Sequence, residues 1–230
     1  AEYSDILFTI FPALAPMRGC AQNNPHHAYD VWTHTLIALE NAPADPVYRL
    51  TMLFHDSGKT AAHTVGEDGY DHFKGHPAIS RDIAEAALFA MKSDRATMNR
   101  VLALITEHDL RIPAEPKSVR RQMARIGSDL FEALFPVFRA DLLAQNPAMI
   151  PEKLRAEEAL ERVFREEVAR NVCVKISDLA VNGRDLMALG ITGPDVGRTL
   201  KTLLDKVVSE ELPNEREALL AACQTRRPDA

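Results

Sequence analysis

Leu53-Phe54-His55-Asp56-Ser57-Gly58-Lys59 sets an imidazole and a carboxylate side by side at the end of an apolar stretch, with a lysine three and four residues further on. A neutral imidazole nitrogen and a carboxylate oxygen are ligands for a divalent transition ion. A lysine at that spacing is within reach of an anion held on the ion. The dipeptide is not specific by itself, since His108-Asp109 repeats it without a following glycine–lysine pair. Upstream, Tyr29-Asp30-Val31-Trp32-Thr33-His34 places His34 on one helical stripe with His27, Val31 and Ala38. Residues seven apart differ by only ~20° around a helix, so His27 and His34 face the same way. Downstream, Phe138-Arg139-Ala140-Asp141-Leu142-Leu143 puts Asp141 on a stripe with Leu134 and Phe138. A carboxylate on a buried stripe costs several kcal/mol, by order of magnitude, unless it is paired or metal-bound. An ion held by His34, His55, Asp56 and Asp141 meets that need. Two imidazoles and two carboxylates suit Mn²⁺, Fe²⁺, Co²⁺, Ni²⁺ or Zn²⁺ better than Ca²⁺, with Mg²⁺ also open.

The elements that must position these side chains read as helices. Patterns of period 3.6 recur while apolar–polar alternation is nowhere sustained, so an all-α fold without strands is expected. Helices are predicted near Tyr3–Phe11, Tyr29–Asn41, Pro46–His55, Pro77–Met91, Arg95–His108, Ser118–Arg125, Leu130–Asn146, Pro151–Val172, Gly183–Leu189 and Pro194–Leu212. Proline and glycine punctuate them, and Gly58 is expected to stop the helix that carries His55. All eight histidines lie between His26 and His108, and a charge-rich helix follows Asn146. This predicts a helical bundle over 1–146 and a helical C-terminal extension over 147–230.

The 230 residues suffice for one well-filled core or a core plus an appendage. With 46% hydrophobic and 26% charged residues, wholesale disorder is excluded. The apolar run from Ile6 to Met17 is interrupted by Thr9, Pro12 and Pro16, too short for a membrane span of ~20 residues and a poor signal peptide. Three widely separated cysteines, Cys20, Cys173 and Cys223, argue for a reducing cytoplasm rather than a disulfide framework. A net charge of −6 argues against a non-specific nucleic-acid coat while leaving room for a local basic patch.

The order His34, His55-Asp56, Asp141 resembles the HD superfamily of metal-dependent phosphohydrolases. The run Gln22-Asn23-Asn24-Pro25-His26-His27-Ala28-Tyr29-Asp30-Val31-Trp32-Thr33-His34, the segment His72-Phe73-Lys74-Gly75-His76, and the tail from Asp185-Leu186-Met187 to Asn214-Glu215-Arg216-Glu217 narrow the likeness. They resemble the HD region of tRNA nucleotidyltransferases and poly(A)-polymerase-like proteins, over nearly the whole chain. The glycine–serine loop and paired aspartates of the nucleotidyltransferase domain are not found, so the likeness implies the HD-bearing C-terminal portion, without nucleotide addition. What it implies for activity is metal-dependent hydrolysis of phosphomonoesters or phosphodiesters in nucleotides, 2′,3′-cyclic nucleotides or RNA ends. Asp56 then bridges to a second ion completed by His76 and His108, Lys59 stabilises charge on the phosphoryl oxygens, and His27 and His72 contact phosphate or deliver a proton.

A rival reading is an RNA- or tRNA-binding module with a vestigial HD site; an HD protein tuned to a signalling nucleotide is a third. Lys117, Arg120, Arg121 and Arg125 either touch RNA phosphates or form a solvated helix face. Thr192 is a candidate N-cap in the Gly190–Gly197 turn, whose amides either hold a phosphate or simply make a tight turn. Asp30 either orients a ligand histidine or pairs with His34 at i,i+4. Trp32 reads as core, Asp109 as a bystander, and His26 as bracketing the following helix. No membrane partner is expected.

Overall fold

The computed structural model describes residues 3–224. The fold is all-α, with one two-stranded ladder as the exception among the described residues. In chain order the helices are α1 (Ser4–Ile10), α2 (Val31–Asn41), α3 (Pro46–Phe54), α4 (Lys59–Ala62), α5 (His76–Ala90), α6 (Arg95–Glu107), α7 (Pro116–Ile126), α8 (Ser128–Leu143), α9 (Ile150–Ala169), α10 (Gly183–Ala188), α11 (Pro194–Val208) and α12 (Arg216–Gln224). Strands β1 (Thr64–Val65) and β2 (Asp71–His72) pair antiparallel, Thr64 opposite His72 and Val65 opposite Asp71.

Local chemistry explains the starts. Asp30, Asp45 and Asp94 each accept a hydrogen bond from a backbone N–H in the first turn of α2, α3 and α6. Asp30 thus fixes the entry to α2 at Val31, two residues later than the periodicity indicated. Asn182 and Asp185 close a reciprocal capping box on α10. The N-cap of α11 is Gly193, with no side-chain cap, so Thr192 does not take that role. Helices α4 and α12 and the ladder were not foreseen. Four-residue and two-residue elements are too short to carry a period.

The residues group by contact into two compact units, Ala1–Arg111 with Glu132–Glu158, and Ile112–Phe131 with Ala159–Ala230. That grouping follows contacts in space, whereas the division expected at residues 146 and 147 follows a shift in composition along the chain. In the first unit Leu14, Met17, Trp32, Phe54, Leu88, Leu102 and Ile105 build the core, and the Trp32 indole donates to Ser4 Oγ at 3.0 Å. Each such side chain contributes about 1.5–3 kcal/mol on burial. In the second unit Leu186, Leu200, Leu203 and Leu219 pack together. Cys20, Cys173 and Cys223 are free thiols. No helix among the described residues is long and apolar enough to cross a membrane.

Gly58 does not stop the helix before it, since α3 already ends at Phe54 with His55 as its C-cap. Its φ is −79°, and it serves as N-cap of α4 after a short turn that follows Phe54. Its reason is close approach: a Cβ there would stand 2.6 Å from both the His76 carbonyl oxygen and the Ser80 nitrogen. Its own N–H donates to Ser80 Oγ at 2.8 Å. The His55–Asp56 turn is therefore pressed backbone to backbone against α5. Gly58→Ala is expected to destabilise the protein by about 1–3 kcal/mol through overpacking, read as a lower urea midpoint. An unchanged midpoint would refute the close-approach account.

Candidate metal centre

Four imidazoles share one construction. His34 Nδ1 donates to Ala144 O at 3.0 Å, His55 Nδ1 to Met52 O at 2.7 Å, His76 Nδ1 to Phe73 O at 2.9 Å and His108 Nδ1 to Ile105 O at 2.7 Å. A carbonyl only accepts, so each Nδ1 carries a hydrogen and each ring turns its Nε2 inward. These nitrogens meet in pairs, His34 and His55 at 3.2 Å, His76 and His108 at 3.1 Å. Two imidazole nitrogens facing each other at that distance call for positive charge between them, a proton or a metal ion.

The carboxylates stand at the same points. Asp141 Oδ1 lies 3.0 Å from His34 Nε2 and 3.4 Å from His55 Nε2. Asp56 Oδ2 lies 3.2 Å from His34 Nε2 and 3.3 Å from His55 Nε2, while its Oδ1 lies 3.2 Å from His76 Nε2 and 3.6 Å from His108 Nε2. Asp56 is 1% exposed. Its Oδ2 has nitrogens close by, yet none donates to it with proper hydrogen-bond geometry. Donor atoms of His34, His55, Asp56 and Asp141 all lie within 4.8 Å of one another, as do those of Asp56, His76 and His108. Both groups could hold a metal ion, and the donor chemistry fits one: imidazole nitrogens with fixed tautomers and carboxylate oxygens otherwise left short of partners.

The electrostatics agree. Burial acts to lower His34 and His55, but Asp56 and Asp141 outweigh it, raising His34 and lifting His55 to about 10. Burial acts to raise both carboxyls, yet His55 and Lys59 hold Asp56, and His34 and His55 hold Asp141, well below the usual range. Burial lowers His108. The cluster stabilises positive charge at its centre.

Lys59 is buried beside it, Nζ 2.7 Å from Asp56 Oδ2 and 2.7 Å from Gln22 Oε1. The His27 ring stands edge-on to His34 at 5.3 Å between centroids, its Nδ1 buried without a partner. Burial, with the charges of Lys59 and His34, pushes its pKa down to about 3. His72 is not brought in: it lies on exposed β2, Nε2 3.1 Å from Asp68. Asp30 bonds Thr33 and Gly19 rather than a ligand histidine. Asp109 pairs with exposed Arg111. Of the basic stretch, Arg120 is neither a phosphate contact nor solvated. It is buried, with Nη1 2.9 Å from Glu167 and Nη2 2.9 Å from Glu210. Residues missed from sequence include Gln145, whose amide donates to Asp141 Oδ2 at 2.7 Å, and Gln22. Gln145 follows Asp141 by four, the spacing at which helical side chains meet, and that signal was available.

A family profile described as "tRNA nucleotidyltransferase domain 2 putative" matches residues 138–223. The CC-adding tRNA nucleotidyltransferase of Thermus thermophilus is 34% identical over 225 residues, covering 94% of this chain and 50% of that protein. The A-adding tRNA nucleotidyltransferase of Deinococcus radiodurans is 29% identical over 227 residues, 94% of this chain and 51% of the relative. The CCA-adding enzyme of Latilactobacillus sakei is 44% identical over 66 residues, 28% of this chain and 15% of the relative. No solved structure matches. The chain resembles the C-terminal region of tRNA nucleotidyltransferases. It spans about half the length of the first two of these curated relatives.

These findings overturn the expected phosphohydrolase. All three relatives are named for adding nucleotides, none for hydrolysing phosphoesters. The physical reason is general: a ring of imidazoles and carboxylates says that a cation could be held, not which reaction it would serve.

Lys59 is the cluster's own counter-cation. Lys59→Met is expected to destabilise protein kept in chelator by about 3–5 kcal/mol, because it leaves Asp56 buried with one partner fewer. Chemical denaturation checks this; equal stability would show that Lys59 does not neutralise Asp56.

Proposed function

We propose that this chain is the tRNA-binding portion of a tRNA nucleotide-adding enzyme, and that its buried histidine–aspartate cluster carries a divalent ion. The observation that carries the first half is the 34% identity along 94% of the chain to a CC-adding tRNA nucleotidyltransferase. The family match over residues 138–223 supports it from the other end of the chain. Nucleotide addition belongs to the relatives as named, and the role given to this chain is to hold the RNA.

For the second half, His34, His55, Asp56 and Asp141 would hold one ion, and Asp56, His76 and His108 a second. When bound, such an ion supplies positive charge that neutralises two buried carboxylates and joins α2, the end of α3 and α8 at one point. The chain's own residues prepare the site. Backbone carbonyls set the imidazole tautomers, Gln145 fixes the outer oxygen of Asp141, and Gln22 holds the Lys59 ammonium against Asp56. The full donor set supports a loaded site rather than a vestigial one.

Titration of labelled tRNA across salt tests the first half. The expected result is binding that weakens steeply from about 50 to 200 mM salt, with tRNA preferred over DNA duplex of similar charge. Absent binding at low salt, or no preference for tRNA, would overturn it. Elemental analysis tests the second half, with roughly one or two equivalents of transition metal expected on the isolated protein. Chelation should lower the melting temperature by ~5–10 °C, from ~2.7 kcal/mol of linkage at a hundredfold excess over Kd and ~2–4 °C per kcal/mol. Asp56→Asn should lose both metal and chelator sensitivity. A protein that takes up no Mn²⁺ or Zn²⁺ and melts identically in chelator refutes the ion.

A further inference from the structure

One oxygen of the cluster is claimed twice. Asp56 Oδ2 lies 3.2 Å from His34 Nε2 and 3.3 Å from His55 Nε2, within the four-residue donor group, and 2.7 Å from the Lys59 ammonium. Lys59 opens α4 and is only 5% exposed. Its ammonium is held on three sides. Gln22 Oε1 accepts from it at 2.7 Å, the Phe73 ring centroid lies 5.5 Å away, and Asp56 faces it. Gln22 is itself buried and anchored, its amide nitrogen donating to Tyr29 O at 3.2 Å. Such an ammonium cannot turn out to solvent without giving up Gln22 and Asp56 together.

The contact with Asp56 is one of charge. No donor meets Oδ2 with hydrogen-bond geometry, so the directed bond of Lys59 is the one to Gln22. Its charge reaches further than its neighbours: after burial, Lys59 is the largest influence opposing protonation of His27. A fixed positive charge at this point does two opposite things. It neutralises Asp56, so that the buried carboxylate is tolerated whether or not an ion is bound. Toward a cation brought to the same oxygen it is repulsive, and surroundings of low dielectric strengthen that repulsion. In many small metal-dependent domains folding and metal binding are one event. A resident ammonium uncouples them.

We propose that Lys59, aimed by Gln22, is a built-in counter-cation that lets the chain fold free of metal and weakens its hold on a divalent ion at His34, His55, Asp56 and Asp141. This rests on the ion-binding reading above and assigns what sets the strength of that binding. Lys59 acts through Asp56, as a tuning charge rather than a ligand. An affinity held down in this way leaves the ion exchangeable with the surrounding pool.

The test is calorimetric titration of Mn²⁺ into the chelator-treated full chain for wild type, Lys59→Met, Lys59→Gln and Lys59→Arg, with melting followed in chelator and in excess Mn²⁺. Both neutral variants should bind Mn²⁺ about ten- to a hundredfold more tightly than wild type, whereas Lys59→Arg, which keeps the charge, should stay within about threefold. In chelator the neutral variants should melt below wild type, and Mn²⁺ should raise their melting temperature by more than it raises that of wild type. A neutral variant that is unfolded in chelator and folds when Mn²⁺ is added supports the proposal in its extreme form. Neutral variants that bind Mn²⁺ no more tightly than wild type, or that stay unfolded in its presence, overturn it and reduce Lys59 to a packing partner of Asp56. Lys59→Arg that binds as tightly as the neutral variants overturns it as well, because the shape of lysine and not its charge would then be the cause. Failure of the ion itself looks different: neither wild type nor any variant takes up Mn²⁺ or Zn²⁺.

Discussion

A carboxylate almost wholly withdrawn from water, surrounded by imidazoles and one ammonium, is the constraint from which the first unit's geometry follows. The ionised Asp56 is tolerated only where positive charge is supplied within a few ångströms, because transfer of an unpaired carboxylate to a protein interior costs far more than a domain's net stability. Both of its oxygens are accordingly engaged, Oδ2 toward His34, His55 and Lys59 and Oδ1 toward His76 and His108. The backbone obeys the same demand. The turn after Phe54 brings the aspartate inward, Gly58 lets that turn touch α5, and Gly75, at φ +82°, starts α5 with His76 in its first turn. Four carbonyls then take the Nδ1 hydrogens, so that every ring points its free nitrogen the same way.

Much of this was legible in the chain. His34 and Asp141 declared themselves as polar residues on apolar stripes, and the folded chain brings both to His55 and Asp56 although 107 residues separate the outer pair. The long amphipathic helices were legible for the same reason, since a period of 3.6 sustained over ten or more residues matches the turn of a half-buried helix and no strand. What stayed hidden was whatever depends on a neighbour distant in sequence. Gly58 reads as a helix stop until the carbonyl of His76 is seen against it. His72 sits in a stretch that resembles a functional one, but a two-residue strand turns it to solvent beside Asp68. The likeness to tRNA nucleotidyltransferases was likewise readable from the Gln22–His34 run, while the reaction inferred from the metal ligands was not.

That contrast separates two kinds of inference. Donor atoms at ligating distance constrain a cation closely, because its coordination tolerates only a narrow range of atom types and spacings. They constrain a reaction weakly, because the same ion that activates water in one protein merely ties helices together in another. Here the ligand set bears on an ion that the cluster could hold, while the relatives are named as tRNA nucleotidyltransferases.

Which basic side chains are open to solvent cannot be judged from runs of basic residues. The densest run, along α7, is largely engaged within the second unit. Arg120 is buried between Glu167 and Glu210, Arg121 bonds Ser209 at 3.2 Å, and Arg125 bonds Gln122 at 2.8 Å. A buried arginine of this kind has exchanged water for carboxylates and is no longer available to a phosphate. Folding therefore changes the impression left by the sequence: adjacent basic residues engage partners of their own unit.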